Sequence, residues 1–196
     1  MPDVLAVNNY PTRERFERLV ASLERTGAKV TSVGSDEAVP SRFKSFDGAV
    51  LSGSPDMLSS RKAQEKYAGE VDAIRDASVP VLGVCFGHQM MALAFGGQVV
   101  KDTRHVLGFV ETTVVGSDPL FGGLERPVML LESRWEVVKG LPKGFRLLAT
   151  SDTSSIAAMR HHSRPLYGVQ SHPERYTAQN PGGSTLIQNF VSLLER

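Results

Sequence analysis

The single cysteine of the chain, Cys85, lies in a pattern that suits a nucleophile. The apolar run at 79–84 predicts a short buried strand and residues 89–94 predict a helix, so strand and helix meet at this cysteine. Gly83 and Gly87 flank it at two residues on either side, which leaves room for the sharp turn of a nucleophile elbow. The N–H groups of a helix that begins there favour the thiolate, which is the nucleophilic form. The sequence therefore predicts a catalytic thiol rather than a buried structural cysteine.

A cysteine nucleophile requires a histidine nearby to act as a base. The candidates are His88, His105, His161, His162 and His172. The elbow helix fixes the direction of His88, while His105 falls in a predicted polar loop and the 161–162 pair in a predicted exposed turn. His172 instead follows the apolar run 166–170, at the end of a predicted strand, where catalytic groups of open α/β sheets usually stand. We expect His172 to be the base.

Glu174 supplies the third group of a triad. Residues two apart in extended chain share a face, so the Glu174 carboxylate is placed to hydrogen-bond the His172 imidazole and fix its tautomer. The sequence thus predicts a triad of Cys85, His172 and Glu174, which on chemical grounds alone would also serve a thiol protease. We predict no metal site, because one cysteine and scattered histidines lack ligand spacing.

The pattern of elements predicts an α/β fold. Strands and helices alternate through the first half, which predicts a parallel sheet: strands at 3–7, 29–33, 47–51 and 79–84, and helices from Thr12, at 61–77 and after Cys85. The second half predicts antiparallel strands at 110–115, 128–132, 145–150, 156–160 and 166–170, and a closing helix at 184–194. We expect three layers, with a mostly parallel central sheet, flanking helices and a smaller antiparallel addition.

Length and composition narrow the class of protein. The chain has 196 residues, enough for one sizeable core, so we expect one domain spanning 1–196. A formal net charge of +1 gives no large field to attract nucleic acid or a membrane. One cysteine cannot form an internal disulfide, and no apolar segment approaches the roughly 20 residues of a membrane span. We therefore expect a cytoplasmic protein that needs no cofactor.

Several motifs resemble those of the class I (triad-type) glutamine amidotransferases. The matching stretches are Gly83 to Gln89, His172 to Glu174, Asn8-Asn9-Tyr10, Leu51 to Pro55, Gly108-Phe109 and Asn189-Phe190. The resemblance covers nearly the whole chain and implies the flavodoxin-like fold of that family. It also implies that the chain is a glutaminase, in which Cys85 attacks L-glutamine, ammonia leaves, and water hydrolyses the resulting thioester to glutamate.

The same resemblance assigns further site residues. It implies that the backbone N–H groups of Ser54 and Phe86 hold the developing oxyanion. It also implies that glutamine is contacted by Gly53, Gln89, Gly108 and Phe109. Many relatives have glycine where this chain has Ser54. We therefore expect the extra side chain to bias the orientation of the Gly53–Ser54 peptide.

Within the family, the segment from Asp118 to Glu174 is most similar to the glutaminase subunit of two-subunit GMP synthases. That resemblance implies that the partner is an ATP-dependent GMP synthetase subunit. It also implies that xanthosine monophosphate (XMP) accepts the ammonia, in purine biosynthesis. The chain departs from this pattern at Arg134-Trp135-Glu136, Ser171 and Arg175 to Pro181. Trp135 is either a docking anchor or a core residue with an exposed edge.

Other functions fit the same residues. A stand-alone γ-glutamyl hydrolase or transferase would use the same triad on a larger substrate, and an amidotransferase subunit of another kind would serve a different acceptor. A catalytically inactive regulatory subunit is the non-enzymatic alternative, which the intact Cys85, His172 and Glu174 argue against.

Overall fold

The computed structural model describes residues 1–195, which contain nine β-strands and six α-helices. The strands are Asp3–Asn8 (β1), Lys29–Gly34 (β2), Gly48–Leu51 (β3), Val81–Val84 (β4), Gln98–Val114 (β5), Val128–Lys139 (β6), Phe145–Ser151 (β7), Ser154–His161 (β8) and Leu166–Val169 (β9). The helices are Arg13–Glu24 (α1), Pro40–Phe43 (α2), Arg61–Lys66 (α3), Ala68–Asp76 (α4), Phe86–Ala94 (α5) and Gly182–Leu193 (α6).

The nine strands form one continuous sheet in the order β2-β1-β3-β4-β9-β8-β7-β5-β6. The strands from β2 to β9 in this order pair in parallel, and those from β9 to β6 pair antiparallel. Strand β9 is the junction, because it runs parallel to β4 and antiparallel to β8. The predicted fold class is confirmed, and the antiparallel strands extend the same sheet.

Both faces of the parallel half are covered by helices, which explains its uninterrupted apolar strands. Along β1, Leu5 and Val7 face the core that contains α2 to α5, whereas Val4 and Ala6 face the core that contains α1 and α6. All four side chains are fully buried. Each large aliphatic side chain buried in this way stabilises the fold by about 1.5–3 kcal/mol.

Several predicted elements differ from the structure, and the strand predicted at 128–132 extends to Lys139. The single helix predicted at 61–77 is two helices, because Tyr67 leaves helical geometry (φ −101°, ψ 13°) and packs its buried ring edge-on against Phe86. The polar loop predicted around His105 is wrong, since β5 begins at Gln98 and continues through it. A shift in the β5–β6 register between Lys101 and Val106 interrupts the alternation by which a strand is recognised from sequence.

The topology brings three chain segments to one edge of the sheet. Leu51 pairs with Gly83, and Val84 pairs with Val169, so β3, β4 and β9 end side by side. The segments that follow them carry Ser52 to Pro55, Cys85, and Gln170 to Glu174. Among residues 1–195, no helix is long and apolar enough to cross a membrane.

Candidate active site

Cys85 has the strained backbone of a nucleophile elbow. Its φ of 50° and ψ of −96° lie where non-glycine residues are rare, and it immediately precedes α5. A Cβ added to Gly83 would lie 2.5 Å from the Gly87 backbone, and one added to Gly87 would lie 2.7 Å from Leu51. Both glycines are therefore required by close packing of strand against helix, as the sequence pattern predicts.

Two polar groups lie beside the sulfur of Cys85. The Gln170 carboxamide lies with Nε2 at 3.6 Å from Sγ, and the carbonyl oxygen of Ser133 lies at 3.9 Å. The Cys85 backbone N–H donates to the carbonyl of Val169 at 2.8 Å, which ties the elbow to β9. The side chain is 4% exposed but lines an open cavity, so a small substrate can reach it.

His172 and Glu174 form a buried pair opposite the sulfur. Nδ1 of His172 lies 2.7 Å from Oε1 of Glu174, and both side chains are almost fully buried. Burial alone lowers the pKa of His172, but the negative charges of Glu174 and Cys85, with hydrogen bonds to both, outweigh it and raise this pKa to about 10. The imidazole is therefore protonated at neutral pH, as an acid that transfers a proton to a leaving amine must be.

The two backbone groups expected to hold an oxyanion both border this site. Phe86 is the first residue of α5, so its N–H has no intrahelical acceptor. On the other side, a Cβ added to Gly53 would lie 2.6 Å from Cε1 of His172, so the loop after β3 directly contacts the imidazole. The Ser54 hydroxyl accepts a hydrogen bond from the Asp56 backbone N–H at 3.1 Å and also bonds Tyr67. This side chain is thus engaged in the turn that follows it.

The residues expected to contact glutamine are distributed unevenly around the cavity. Gln89 lines it, with Nε2 donating to the carbonyl of Glu136 at 2.9 Å. Gly108 and Phe109 lie on β5 beside Leu107, and of these three it is Leu107 that lines the cavity. Gly108 has a φ of 144°, a conformation that side chains rarely adopt.

The cavity has a volume of about 660 Å³ and contains a tyrosine for which the sequence pattern predicts no role. Tyr10 lies within contact of Gly53, because a Cβ built there would be 2.5 Å from the tyrosine hydroxyl. Burial, and then the charges of Glu174 and Cys85, raise the pKa of Tyr10, so the phenol stays protonated. A role for Tyr10 could have been predicted from its position just beyond the end of β1, because β1 is adjacent to β3 in the sheet and ligands bind at the ends of such strands.

The stretch from Arg134 to Glu136 divides between interior and surface. Arg134 is 1% exposed in its side chain and pairs with Glu132 at 2.8 Å and Asp102 at 2.7 Å. The Glu136 carboxylate accepts from the backbone N–H groups of residues 58 and 59. Trp135, in contrast, is 49% exposed and stacks on His105 with ring centroids 4.5 Å apart at the rim of the cavity. Its position fits a docking anchor better than a core residue.

The remaining histidines lie apart from the thiol. His88 is fully buried, and burial lowers its pKa to about 4, so it is neutral at physiological pH. His161 packs against Phe95 and Phe145 at the far end of β8, and His162 follows it. Among the histidines of residues 1–195, His172 and His105 are the two that line the cavity, and His105 is stacked on Trp135.

Comparison with known proteins gives a consistent family. Residues 11–193 match the family model described as glutamine amidotransferase class-I. The glutamine-hydrolyzing GMP synthase subunit of Archaeoglobus fulgidus is 40% identical over 155 residues, covering 79% of this chain and 80% of the relative. The protein of the same name from Methanosarcina acetivorans is 34% identical over 194 residues, covering 98% and 97%.

Solved structures with the same fold come from both closer and more distant sequences. A Thermoplasma acidophilum protein, assigned provisionally to the same GMP synthase subunit, matches with a TM-score of 0.88 and 29% identity, covering 100% of this chain and 94% of its own. A Thermotoga maritima glutamine amidotransferase matches with a TM-score of 0.77 and 15% identity, covering 98% and 97%. At 15% identity, the similarity to the Thermotoga maritima protein shows a shared fold and nothing more.

Proposed function

The chain belongs to the class I glutamine amidotransferases, and we propose that it hydrolyses L-glutamine to glutamate and ammonia, which a partner GMP synthetase subunit uses to aminate XMP. The observation that carries the proposal is the arrangement at the sheet edge: a cysteine on a strained elbow faces a protonated, buried histidine that bonds a buried glutamate at 2.7 Å. The family match and this arrangement rest on different kinds of evidence and agree.

The first half of the reaction forms a thioester. The Cys85 thiolate attacks the side-chain amide carbon of glutamine, and the carbonyl oxygen becomes an oxyanion held by the backbone N–H groups of Phe86 and Ser54. As the C–N bond breaks, the His172 imidazolium donates its proton to the departing nitrogen, which leaves as ammonia. Glu174 stabilises the imidazolium before this step and keeps the ring oriented after it.

The second half regenerates the enzyme. The neutral imidazole of His172 removes a proton from a water molecule, whose oxygen attacks the thioester carbon. The same two N–H groups hold the second oxyanion. When the C–S bond breaks, glutamate is released and the thiolate–imidazolium pair is restored. No cofactor enters either half, because the nucleophile, acid and base all come from the chain.

The partner is proposed from the relatives and from the shape of the cavity rim. Relatives that align over nearly the whole chain are named as the glutamine-hydrolyzing subunit of GMP synthase. In this chain, Leu107 and Trp135 are 64% and 49% exposed beside the cavity that holds Cys85. Large exposed apolar side chains at the rim of a site favour contact with another protein. We propose that the synthetase docks at this rim, next to the cavity in which ammonia is released.

Domain organisation and location are also proposals. A single sheet extends through both halves of the chain and its two cores together include side chains from Val4 to Val191, which supports one glutaminase domain over 1–196.

A catalytic thiolate is readily oxidised, so the proposed chemistry favours a reducing compartment such as the cytoplasm.

The test is glutamate release by the purified chain and by its Cys85→Ala variant, each without and with a GMP synthetase subunit, XMP and ATP. We expect Cys85-dependent hydrolysis that rises when the synthetase and its substrates are added, with one GMP formed per glutamate. Activity that never depends on Cys85 would refute the triad. If hydrolysis depends on Cys85 but its rate does not change when the synthetase is added, the proposal that XMP is the acceptor is refuted. Turnover of larger γ-glutamyl substrates would then indicate a stand-alone hydrolase.

A further inference from the structure

The loop that follows β3 is held by a buried chain of hydrogen bonds. Ser52 is fully buried, and its backbone N–H donates to the carbonyl of Val7 at 3.1 Å, which extends the pairing of β3 with β1. The Ser52 hydroxyl oxygen accepts the backbone N–H of Asn9 at 2.9 Å. The Asn9 side chain in turn donates to Glu70 at 3.1 Å. The start of the loop is thus fixed to β1 and to α4.

The Ser52 hydroxyl also fixes the next peptide. Its oxygen lies 2.9 Å from the carbonyl oxygen of Gly53, and its single hydrogen is free for this bond because Asn9 is the donor in the other. A trans peptide places its C=O and N–H on opposite sides. When the Gly53 carbonyl points to the buried hydroxyl, the Ser54 N–H must point the opposite way.

The residue that carries this N–H, Ser54, borders the active site. A Cβ added to Gly53 would lie 2.6 Å from the His172 ring and 2.5 Å from the Tyr10 hydroxyl, and Ser54 lines the cavity that holds Cys85. The Ser54 side chain does not occupy this space, since its hydroxyl is bonded to the Asp56 backbone. The bond from the buried Ser52 hydroxyl therefore fixes the orientation of the Gly53–Ser54 peptide beside this cavity.

We propose that Ser52 is a positioning residue that locks the Gly53–Ser54 peptide with its N–H toward the substrate, so that the oxyanion hole is formed in the chain without a partner. This inference rests on the proposed glutaminase function. It implies that a partner does not need to reorient this peptide to raise the rate of glutamine hydrolysis. The partner would act by other means, such as enclosing the cavity.

The test compares Ser52→Ala with wild type in glutamine hydrolysis by the chain without a partner. Loss of the hydroxyl frees the Gly53 carbonyl to turn into the site. We expect kcat to fall about tenfold or more, as for partial loss of an oxyanion donor, while KM changes less than about twofold because the N–H group binds chiefly the transition state. Ser52→Thr keeps the hydroxyl and should restore kcat. Alkylation of Cys85 by iodoacetamide, which needs no oxyanion hole, should be unchanged in Ser52→Ala.

The matched control is Ser22→Ala, which removes another buried serine hydroxyl, bonded to the Arg18 carbonyl at 2.8 Å on α1. It should keep wild-type kcat. Crystal structures of wild type and Ser52→Ala without a partner would show the orientation of the Gly53–Ser54 peptide directly. A Gly53 carbonyl that faces the cavity in wild type, or an unchanged peptide and kcat in Ser52→Ala, would overturn the proposal. A wild-type chain without Cys85-dependent glutaminase activity, in the absence and presence of the synthetase, would instead overturn the proposed function, and the wild-type crystal structure would still decide the peptide orientation.

Discussion

The carboxamide of Gln170 approaches the sulfur of Cys85, with Nε2 and Sγ 3.6 Å apart. The carboxamide oxygen of Gln170 accepts from Gln89 at 3.4 Å, which orients the NH₂ group toward the sulfur. A donor in this position stabilises a thiolate. Gln170 therefore connects the substrate side of the cavity, where Gln89 lies, with the nucleophile.

The first prediction concerns this donor. Gln170→Glu places a carboxylate beside the sulfur, and like-charge repulsion disfavours the thiolate. We expect iodoacetamide to alkylate Cys85 more slowly at pH 7 than in wild type, because the thiolate is the form that reacts. The product is unambiguous because the chain has one cysteine. Gln188→Glu, at an exposed position on α6, is the control and should react at the wild-type rate. Equal rates for both variants would show that Gln170 does not act on the thiol.

The second prediction concerns Glu174→Gln. The amide lacks the charge that helps to raise the pKa of His172 to about 10, and it stabilises the wrong tautomer. We expect kcat for glutamine hydrolysis to fall by about 10² or more. Because His172 must be protonated to release ammonia, the wild-type rate should decline only as pH rises toward about 10. In Glu174→Gln that decline should begin at lower pH. The exposed Glu125→Gln is the control, and an unshifted pH–rate profile in Glu174→Gln would contradict the assigned role of the carboxylate.

Much of the site was predictable because strand ends converge. An elbow cysteine between Gly83 and Gly87, and a histidine just after a buried strand, must meet when β4 and β9 are neighbours in a parallel sheet. The two-residue spacing of His172 and Glu174 then brings their side chains together, although the glutamate belongs to a 3₁₀ turn rather than an extended chain. Local pattern and topology were sufficient to predict that these three residues lie close together.

Other features depend on side-chain direction, which local pattern does not determine. The contact of Gln170 with Cys85 depends on the direction of a side chain that follows β9 by one residue. The burial of Arg134 requires carboxylates from Glu132 and from Asp102, and the second lies 32 positions away. The strand around His105 was missed because a register shift breaks its alternation. Each of these features involves at least one residue that is distant in the sequence or lies on a neighbouring strand.

The third prediction tests the proposed docking surface. Trp135→Ala removes a large, half-exposed ring at the cavity rim, and we expect its affinity for the synthetase subunit to fall about 30-fold, as for a residue that anchors an interface. Leu141→Ala removes an exposed apolar side chain from the turn between β6 and β7 and should bind normally. In wild type, the fluorescence of the only tryptophan should change when the synthetase is titrated in. Normal affinity of Trp135→Ala would place the interface elsewhere.

The fourth prediction concerns the buried ion pairs of Arg134. Its guanidinium bonds Glu132 and Asp102, and its hydrogen bond lowers the pKa of Asp102. Arg134→Met leaves the buried Glu132 carboxylate without its charge partner, so we expect the free energy of unfolding to fall by about 3–5 kcal/mol. Arg61→Met, which breaks an exposed pair with Glu65, should change it by less than about 1 kcal/mol. Urea denaturation measures both, and a similar small loss in the two variants would show that the buried network contributes little.

The last prediction follows from Glu70, whose carboxyl group is fully buried behind the Ser52 loop. Burial raises its pKa to about 8, although the hydrogen bond from Asn9 opposes this. The folded chain therefore holds a proton that the unfolded chain releases near pH 4.5. Between these two values the unfolded state binds fewer protons, so stability from this group is complete below about pH 4.5 and decreases as pH rises to about 8.

Glu70→Gln removes this proton linkage while keeping an oxygen that can accept the bond from Asn9. The difference in free energy of unfolding between Glu70→Gln and wild type should increase in favour of the variant by roughly 1.4 kcal/mol for each pH unit between about pH 5 and pH 8. Urea denaturation of both proteins at several pH values measures the difference, in which the contributions of other titrating groups cancel. Glu65→Gln, at an exposed position on α3, is the control and should follow the wild-type curve. A difference between Glu70→Gln and wild type that stays constant with pH would mean that Glu70 is ionised in the folded protein, and that a buried charge, rather than a neutral acid, supports Asn9 and the loop.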